Sequence, residues 1–541
     1  MKEEYDVIVV GGGATGLGVA RDCSLRGMRV ALVEKGDWAN GASGRNHGLL
    51  HSGARYAVTD RESAEECIRE NAVLRRVARH CVDPTDGLFI TLPEDDLGYQ
   101  ADFIAACRAA GIPAEQLDPR EAELLEPAVP RGIAGAVRVP DGAIDPFRLT
   151  LANAVDAERH GAVLYRYHEV VQLLQHSGRI EGVEIAPRGP GERKRLYAPL
   201  TINASGIWGS MLLQKVGVEL CMFAAKGALL VFEHRVNQMV INRCRKPADA
   251  DILVPGDTAC ILGTTSTRVP LEAVDNPRVT DEEVDLLLKE GGQMVPSLQE
   301  VRIMRAYAGV RPLVAAAGDS TGRALSRGIV LIDHAQRDGL EGMCTITGGK
   351  LITYRLMAEQ AADLASKKLG IGGPCETTVR PLPGSERAER MADVRTDAQR
   401  QFHFSMRRRQ VQDRLGTLAE GVPLATAADR ALVCECEEVT AGEVKNAFRG
   451  LHTQTLDDLR RRTRMGMGPC QGMLCSCRAA ELARRYAGGD KGSVDGMKRW
   501  LEARWRGVRP VAWGEGLREA ELVQWLYREV IGLQGAESDA V

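Results

Sequence analysis

The sequence predicts an α/β fold: a nucleotide-binding domain that encloses a second, α+β domain and is followed by a small helical domain rich in cysteine. Three observations lead to this prediction. An apolar strand near residue 10 runs directly into a glycine-rich turn and a helix, and similar patterns return near residues 200 and 345. Five of the fourteen cysteines lie between Cys434 and Cys477. With 541 residues, the chain is long enough for about two to four globular units.

The first unit is a βαβ unit of the Rossmann type. The strand predicted over Tyr5 to Val10 is apolar throughout, which is typical of a parallel strand covered on both faces. A helix is predicted from about Thr15 to Arg26, where Gly27 is placed to end it, and a second strand from Arg29 to Glu34.

The turn between strand and helix carries the spacing Gly-x-Gly-x-x-Gly. Glycines at these positions let the backbone approach a pyrophosphate, and the helix N-terminus adds N–H donors. The carboxylate of Glu34, which ends the second strand, can accept a hydrogen bond from a ribose 2′-hydroxyl. A dinucleotide site is therefore predicted, with contacts at Gly11, Gly13, Ala14, Thr15, Gly16, Glu34 and Lys35.

Further small-residue elements favour FAD over NAD. A loop over 41–48 and two later glycine turns suit a long cofactor that is buried along its whole length, and no second Gly-x-Gly-x-x-Gly is present. No residue near this loop is suited to covalent attachment, so non-covalent FAD is predicted. The additional predicted contacts are Ser43, Gly44, Asn46, His47, Gly48, Ala204, Ser205, Gly206, Gly348, Gly349 and Lys350.

The cysteine cluster predicts a metal centre. Two close pairs, Cys434 with Cys436 and Cys470 with Cys475, suit either a [2Fe–2S] cluster or tetrahedral zinc, although one spacer residue is unusual for structural zinc. Cys477 could replace Cys475 as the fourth ligand. The segments around 463–466 and 470–472 resemble the bacterioferritin-associated ferredoxin-like domain, which implies [2Fe–2S].

The predicted domain organisation follows from these segments. Residues 1–372 form the oxidoreductase domain, of the glutathione-reductase and D-amino-acid-oxidase type. Its FAD-binding segments are about 1–90, 150–215 and 335–372, and its substrate domain covers about 91–150 and 215–335. A helical linker (373–430), the cysteine domain (431–485) and a tail (486–541) follow. The tail holds four of the six tryptophans, so it is a possible subunit contact.

Two motifs resemble the FAD-dependent glycerol-3-phosphate dehydrogenases: the segment 10–22 with its following Arg26-Gly27, and the segment 348–355. Leu17 departs from the small residue usual in this family, which affects local helix packing. The cysteine domain makes the resemblance closest to the catalytic A subunit of the anaerobic enzyme. The resemblance implies oxidation of sn-glycerol 3-phosphate to dihydroxyacetone phosphate, with hydride transfer from C2 to flavin N5.

The same resemblance implies partners. Electrons would pass through the cluster to a B flavoprotein subunit, then to an iron–sulfur membrane-anchor C subunit and to quinone, with FMN a possible second flavin at a subunit junction. The chain itself has no apolar stretch near the roughly 18 residues that span a bilayer. Its N-terminus lacks the pattern of a secretory signal. A peripheral location at the cytoplasmic face of the inner membrane is therefore expected.

Arginines are the expected substrate anchors, because a phosphate ester carries about −1.5 to −2 charge at neutral pH and arginine forks bind such groups well. By similarity, the substrate-binding residues are Arg55, Tyr56, Thr265, Arg311, Arg327 and Lys350. The catalytic candidates are His51, Arg55, Arg311 and Lys350, and the sequence does not assign the base.

Two other functions compete with this hypothesis. An FAD-dependent amino-acid or 2-hydroxy-acid dehydrogenase of the same fold would need a carboxylate anchor, which arginines also provide. A non-catalytic electron carrier with a vestigial flavin site is disfavoured by the intact arginines and the Gly348-Gly349-Lys350 turn. The formal net charge of −3 and the pI near 6.4 give no argument for nucleic-acid binding.

Overall fold

A computed structural model describes residues 3–314, 328–386, 402–487 and 494–533. The first domain is built on a six-stranded sheet. In spatial order its strands are Val163–Arg166, Val30–Glu34, Val7–Val10, Leu200–Asn203, Met343–Gly348 and Ile329–Asp333. The first five are parallel, and the last is antiparallel to its neighbour. The α/β fold predicted from the sequence is confirmed.

Both faces of this sheet are covered. Alternate residues point to opposite faces, so Val7 and Val9 pack against helices while Ile8 and Val10 pack against a smaller sheet. The helices are Ala14–Leu25, Pro146–Arg159 and Tyr354–Leu369. The smaller sheet contains Glu3–Glu4, Lys194–Tyr197, Arg179–Pro187 and His168–His176. Burial on both faces explains why the first strand is apolar throughout.

The second domain is a nine-stranded sheet with helices packed against it. Its strands in spatial order are Thr267–Arg268, Met222–Phe232, Cys260–Gly263, Ile252–Pro255, Val240–Arg243, Gly87–Thr91, Gly135–Val139 and Glu115–Leu117, while Ile303–Val314 also pairs with Met222–Phe232. The helices are Leu97–Ala109, Pro119–Leu125 and Asp281–Met294. A three-stranded sheet (Leu49–Leu50, Gly142–Ile144, Val82–Asp83) and helix Arg61–Val77 lie beside it.

The predicted domain boundaries differ from the observed ones in two places. Ile329–Asp333 falls in the segment predicted for the substrate domain, yet it pairs with Met343–Gly348 of the first domain. Gly87–Thr91 straddles the boundary predicted near residue 90, and the whole strand lies inside the nine-stranded sheet. Short apolar strands fit either sheet, and only their pairing partners, which the sequence pattern does not reveal, decide between them.

The C-terminal region is helical apart from a hairpin of Leu432–Cys434 and Val439–Thr440. Its helices are Phe402–Leu415, Ala427–Arg430, Ala441–Gly450, Leu456–Thr463, Ser476–Ala487, Val494–Val508 and Gly514–Trp525. Trp500 is buried in the core of the cysteine domain, so the tail packs onto that domain. In the described ranges, none of the helices combines the length and the apolar character needed to cross a bilayer.

A buried ion-pair network joins the cysteine domain to the first domain. The carboxylate of Asp37 lies 3.1 Å from Arg166, 2.9 Å from Arg461 and 2.5 Å from Arg462. Burial alone would raise the pKa of Asp37, but the nearby arginines, Arg462 and Arg461 foremost, hold it well below its usual value. Asp37 therefore stays ionised, and this contact fixes the two domains together.

Candidate functional site

A cavity of about 1110 Å³ lies between the two large domains. One wall is formed by the carboxyl ends of the parallel strands, where ligands bind in open α/β sheets. The other wall is formed by strands Met222–Phe232 and Ile303–Val314 of the nine-stranded sheet. The cavity is thus placed to hold a cofactor against one domain and a substrate against the other.

The glycine turn after the first strand has backbone positions that only glycine satisfies. Gly11 has φ of 113°, and a Cβ there would lie 2.6 Å from the carbonyl oxygen of Ala204. A Cβ on Gly16 would lie 1.9 Å from the carbonyl oxygen of Gly11. Gly16 is therefore required for the close packing of the helix on the turn, and it does not itself line the cavity.

Glu34 lies where the predicted ribose contact requires it, in the cavity wall. Its two carboxylate oxygens accept hydrogen bonds from the N–H groups of Gly12 and Gly36, each at 2.7 Å. Burial raises the pKa of Glu34. Each carboxylate oxygen has a second lone pair, so the side chain can still accept from a hydroxyl.

Most of the predicted cofactor contacts lie in this one cavity. They are Gly11, Gly13, Ala14, Thr15, Glu34, Lys35, Ser43, Asn46, His47, Ala204, Ser205, Gly206, Gly348, Gly349 and Lys350. Gly44 and Gly48 do not line it: a Cβ on Gly44 would meet the ring of Phe147, and one on Gly48 would meet the carbonyl of Ile144. A wall that runs from the carboxylate of Glu34 past glycine turns to basic residues fits an extended dinucleotide flavin.

Sequence reasoning predicted Lys35 at the Glu34 end of the cavity but missed its two partners, Trp208 and Asp275. The ammonium of Lys35 lies 4.3 Å from the ring centre of Trp208 and 2.7 Å from Asp275. Asp275 also accepts a hydrogen bond from the indole N–H of Trp208 at 2.8 Å. These side chains come from three distant segments, and no local motif links them.

At the opposite end, His51, Tyr56 and Lys350 are stacked. The rings of His51 and Tyr56 have centroids 4.9 Å apart, and the Lys350 ammonium lies 4.6 Å from the Tyr56 ring. The Nδ1 atom of His51 accepts a hydrogen bond from the N–H of Gly53 at 3.0 Å. A neutral imidazole that accepts at Nδ1 carries its proton on Nε2.

Arg55 is anchored at one nitrogen only. Its Nη2 donates to the carboxylate of Asp251 at 2.8 Å and to the carbonyl of Ala248 at 3.2 Å. Its side chain is only 11% exposed, and the buried Nη1 has no hydrogen-bond partner among the residues that the structure describes. A buried donor without a partner is costly unless a ligand accepts from it, so Arg55 is suited to bind an anion in the cavity.

Arg311 lies in the cavity wall on strand Ile303–Val314. Its Nη2 donates to the carbonyl of Thr265 at 3.2 Å and contacts the hydroxyl of Thr264. Thr265, a predicted substrate contact, lines the cavity, and its hydroxyl accepts a hydrogen bond from the N–H of Ala228 and donates one to Glu283. In the sequence, the polar residues that follow strand Cys260–Gly263 could have indicated that Thr264 lies in the site. The predicted contact Arg327 lies outside the described residues.

The four predicted cluster cysteines lie together. Their thiols are close enough to shift one another's pKa, in a chain that runs Cys434, Cys475, Cys470, Cys436. Cys477 is exposed, whereas Cys434 and Cys475 are buried. The hydrogen bond from Cys475 and nearby backbone N–H groups lower the pKa of Cys470 to about 5. In the ranges described, no three His, Cys, Asp or Glu side chains converge as a single-ion site. Paired thiols suit a cluster in which each iron has two thiolate ligands.

The fold and this cavity define an FAD-dependent oxidoreductase. A family model described as FAD dependent oxidoreductase matches residues 6–355, and one described as BFD-like [2Fe-2S] binding domain matches residues 432–485. The solved structure of the glycerol-3-phosphate dehydrogenase from Bacillus halodurans complexed with FAD covers 94% of this chain and 96% of its own, with a TM-score of 0.68. At 22% identity, this likeness shows the fold.

Sequence relatives are closer. The A subunit of the anaerobic glycerol-3-phosphate dehydrogenase of Escherichia coli (strain K12) is 55% identical over 541 residues, which covers 100% of this chain and 99% of that protein. The A1 subunit of the enzyme of the same name from Haloferax volcanii is 42% identical, with coverage of 97% and 90%. The chain belongs to the family of anaerobic glycerol-3-phosphate dehydrogenase A subunits. The resemblance stated from the two sequence motifs is confirmed.

Proposed function

We propose that the chain oxidises sn-glycerol 3-phosphate at C2 to dihydroxyacetone phosphate. The observation that carries this proposal is Arg55, which lines the cavity and whose buried Nη1 has no partner among the described residues. Arg311 lies in the same cavity. Two guanidinium groups suit a phosphate dianion, because their planar forks match its oxygens.

The remaining side chains orient the alcohol. FAD bound in the cavity supplies the hydride acceptor, and the protein presents the C2 hydrogen to it. As hydride leaves C2, the hydroxyl proton passes to a basic group beside the C2 oxygen. His51, positioned by the Gly53 N–H, and Lys350, held over Tyr56, are the two side chains proposed to accept this proton and to stabilise the charge that develops on the oxygen.

A substrate panel tests the function. Under anaerobic conditions, glycerol 3-phosphate should bleach the flavin absorbance of the FAD-loaded chain, because a hydride donor with a phosphate anchor fills the site. Glycine, proline and 2-hydroxyglutarate should leave the absorbance unchanged. Bleaching by an amino acid or a hydroxy acid, and not by glycerol 3-phosphate, would show that the arginines bind a carboxylate.

The flavin should be held without a covalent bond, since each contact inferred for it is reversible. Acid precipitation should release all of the flavin into the supernatant, as measured by absorbance. A protein pellet that stays yellow after washing would contradict this prediction.

We also propose an onward electron route. A flavin receives two electrons together, whereas an iron–sulfur cluster carries one at a time, so a [2Fe–2S] cluster on the chain suits transfer to further carriers. These carriers are a B flavoprotein subunit in series with a membrane-anchoring iron–sulfur C subunit, which deliver electrons to quinone and hold the chain at the cytoplasmic membrane face. FMN is proposed at a subunit junction. The exposed Trp505, Trp513 and Trp525 form the proposed partner contact.

A further inference from the structure

A second cavity of about 1640 Å³ lies between the loop 41–48 and the C-terminal helices. It shares Asn40, Arg45, Asn46 and His47 with the first cavity, so the two cavities adjoin at this loop. Thirteen arginines and six carboxylates line the second cavity, with no lysine among them. Such an excess of one charge needs an explanation, because like charges that face one another oppose folding.

Some of the acidic side chains that line this cavity already form ion pairs with arginines. Asp257 lies 2.6 Å from Arg148 and 3.3 Å from Arg464, and Asp83 lies 3.0 Å from Arg235. Despite burial, Arg464 and Arg148 hold the pKa of Asp257 at about 2. These pairs neutralise one side of the cavity and leave the other side positive.

On that other side, Arg45, Arg305 and Arg460 form what we call the arginine triad. Among the residues that the structure describes, none of the three has a carboxylate within ion-pair distance. The Nε atoms of Arg305 and Arg460 are inaccessible to solvent, and neither has a hydrogen-bond partner among the described residues. Burial and neighbouring arginines lower the pKa of Arg45 and Arg460, with Asp457 only partly offsetting the repulsion at Arg460.

We propose that the arginine triad binds the phosphate group of a phosphate monoester in this second cavity. Three guanidinium forks can donate to three phosphate oxygens, whereas a carboxylate offers two oxygens and one charge. A bound dianion removes the repulsion among the three guanidinium groups. Two sources share this chemistry: a small ester of the substrate type, or a mononucleotide whose ring lies against Tyr307 or Trp505, which also line the cavity.

Equilibrium dialysis of the FAD-loaded full chain against labelled inorganic phosphate tests the proposal. The wild type should bind two phosphates per chain, one at the triad and one at the proposed substrate site. Arg460→Gln should bind one phosphate because it loses the triad site. Arg55→Ala should also bind one, because it loses the proposed substrate site. Arg484→Gln, which removes an exposed arginine paired with Glu481, should bind two. If Arg460→Gln and Arg45→Gln both keep two sites, the triad site is refuted; if only Arg55→Ala keeps two, the proposed substrate contact fails instead.

Thermal melting separates a binding role from a structural one. Without phosphate, Arg460→Gln should melt at a higher temperature than the wild type, because one of three repelling charges is gone, and added phosphate should stabilise it less. A lower melting temperature together with an unchanged phosphate response would overturn the proposal. Arg45→Gln, which removes a different member of the arginine triad, gives the same comparison if Arg460→Gln fails to fold.

Competition in the Arg55→Ala variant identifies the source of the phosphate group. A mononucleotide such as FMN, or glycerol 3-phosphate, should displace labelled phosphate at about tenfold lower concentration than inorganic phosphate itself, because the ester makes further contacts with the wall. The ester that displaces phosphate at the lower concentration is the natural class. If neither ester displaces phosphate, the cavity holds inorganic anions only, and the monoester assignment is wrong.

Discussion

Replacing Arg55 by alanine should lower kcat/KM for glycerol 3-phosphate by roughly 10- to 150-fold, as hydrogen bonds to a charged group contribute about 1.5–3 kcal/mol. The physical reason is the buried Nη1, which the protein leaves for a ligand while Asp251 fixes the other nitrogen. Steady-state flavin reduction with varied substrate would measure the effect. FAD content should not change.

Arg245 offers a matched control. It also lies 2.8 Å from Asp251, but it does not line the cavity. Arg245→Ala removes the same kind of ion pair from the same carboxylate, so its kcat/KM should stay within about twofold of the wild type. If both variants lost activity equally, Arg55 would act only by holding Asp251.

Arg311→Ala should also lower kcat/KM for glycerol 3-phosphate, by at least tenfold, because it removes a second charged donor from the same cavity.

Replacing Cys434 by serine should abolish quinone reduction by the assembled membrane complex while anaerobic flavin reduction by glycerol 3-phosphate persists. Serine lacks the soft thiolate that iron–sulfur clusters require, and Cys434 is buried among the other cluster cysteines. The electron-paramagnetic-resonance signal of the reduced cluster should disappear in parallel. Quinone reduction at the native rate without a cluster would mean that electrons leave the flavin by another route.

Cys477→Ser is the control for this experiment. Cys477 is exposed, whereas Cys475 is buried and interacts with Cys434 and Cys470. The Cys477 variant should keep both the cluster signal and quinone reduction, and the Cys475 variant should lose both. The opposite pattern would identify Cys477 as the fourth ligand.

Local sequence patterns predicted the flavin-binding elements because those elements are local. The turn from Gly11 to Gly16 joins a strand and a helix that are adjacent in the chain, and its glycines are required by backbone geometry. The pairing of Ile329–Asp333 with Met343–Gly348 was not predictable in the same way. An apolar strand of five residues fits several sheets, and its partner is chosen by the packing of the whole domain.

The site shows the same division. Arg55 and Arg311 were predicted from motifs that resemble a known family, and both lie in the cavity. The roles of Asp251 and Thr264 were not predicted, because each acts on an arginine that is distant in sequence. The hydroxyl of Thr265 points to Glu283, and only the folded structure could show that direction. Side-chain direction depends on tertiary neighbours that periodicity does not record.

The ion pairs of Asp37 restrict how electrons can pass from the flavin site to the cysteine domain. A mobile carrier domain visits its donor and acceptor in turn, and it needs an anchoring contact weak enough to break in every cycle. Asp37, itself buried, is instead held by three arginines, two of which, Arg461 and Arg462, belong to the cysteine domain. Removing one partner from such a buried group costs several kcal/mol, about 3–5 by experience with buried pairs. The proposed cluster therefore keeps a fixed position relative to the flavin site. Solvent viscosity should not change the rate of electron transfer between these two redox centres.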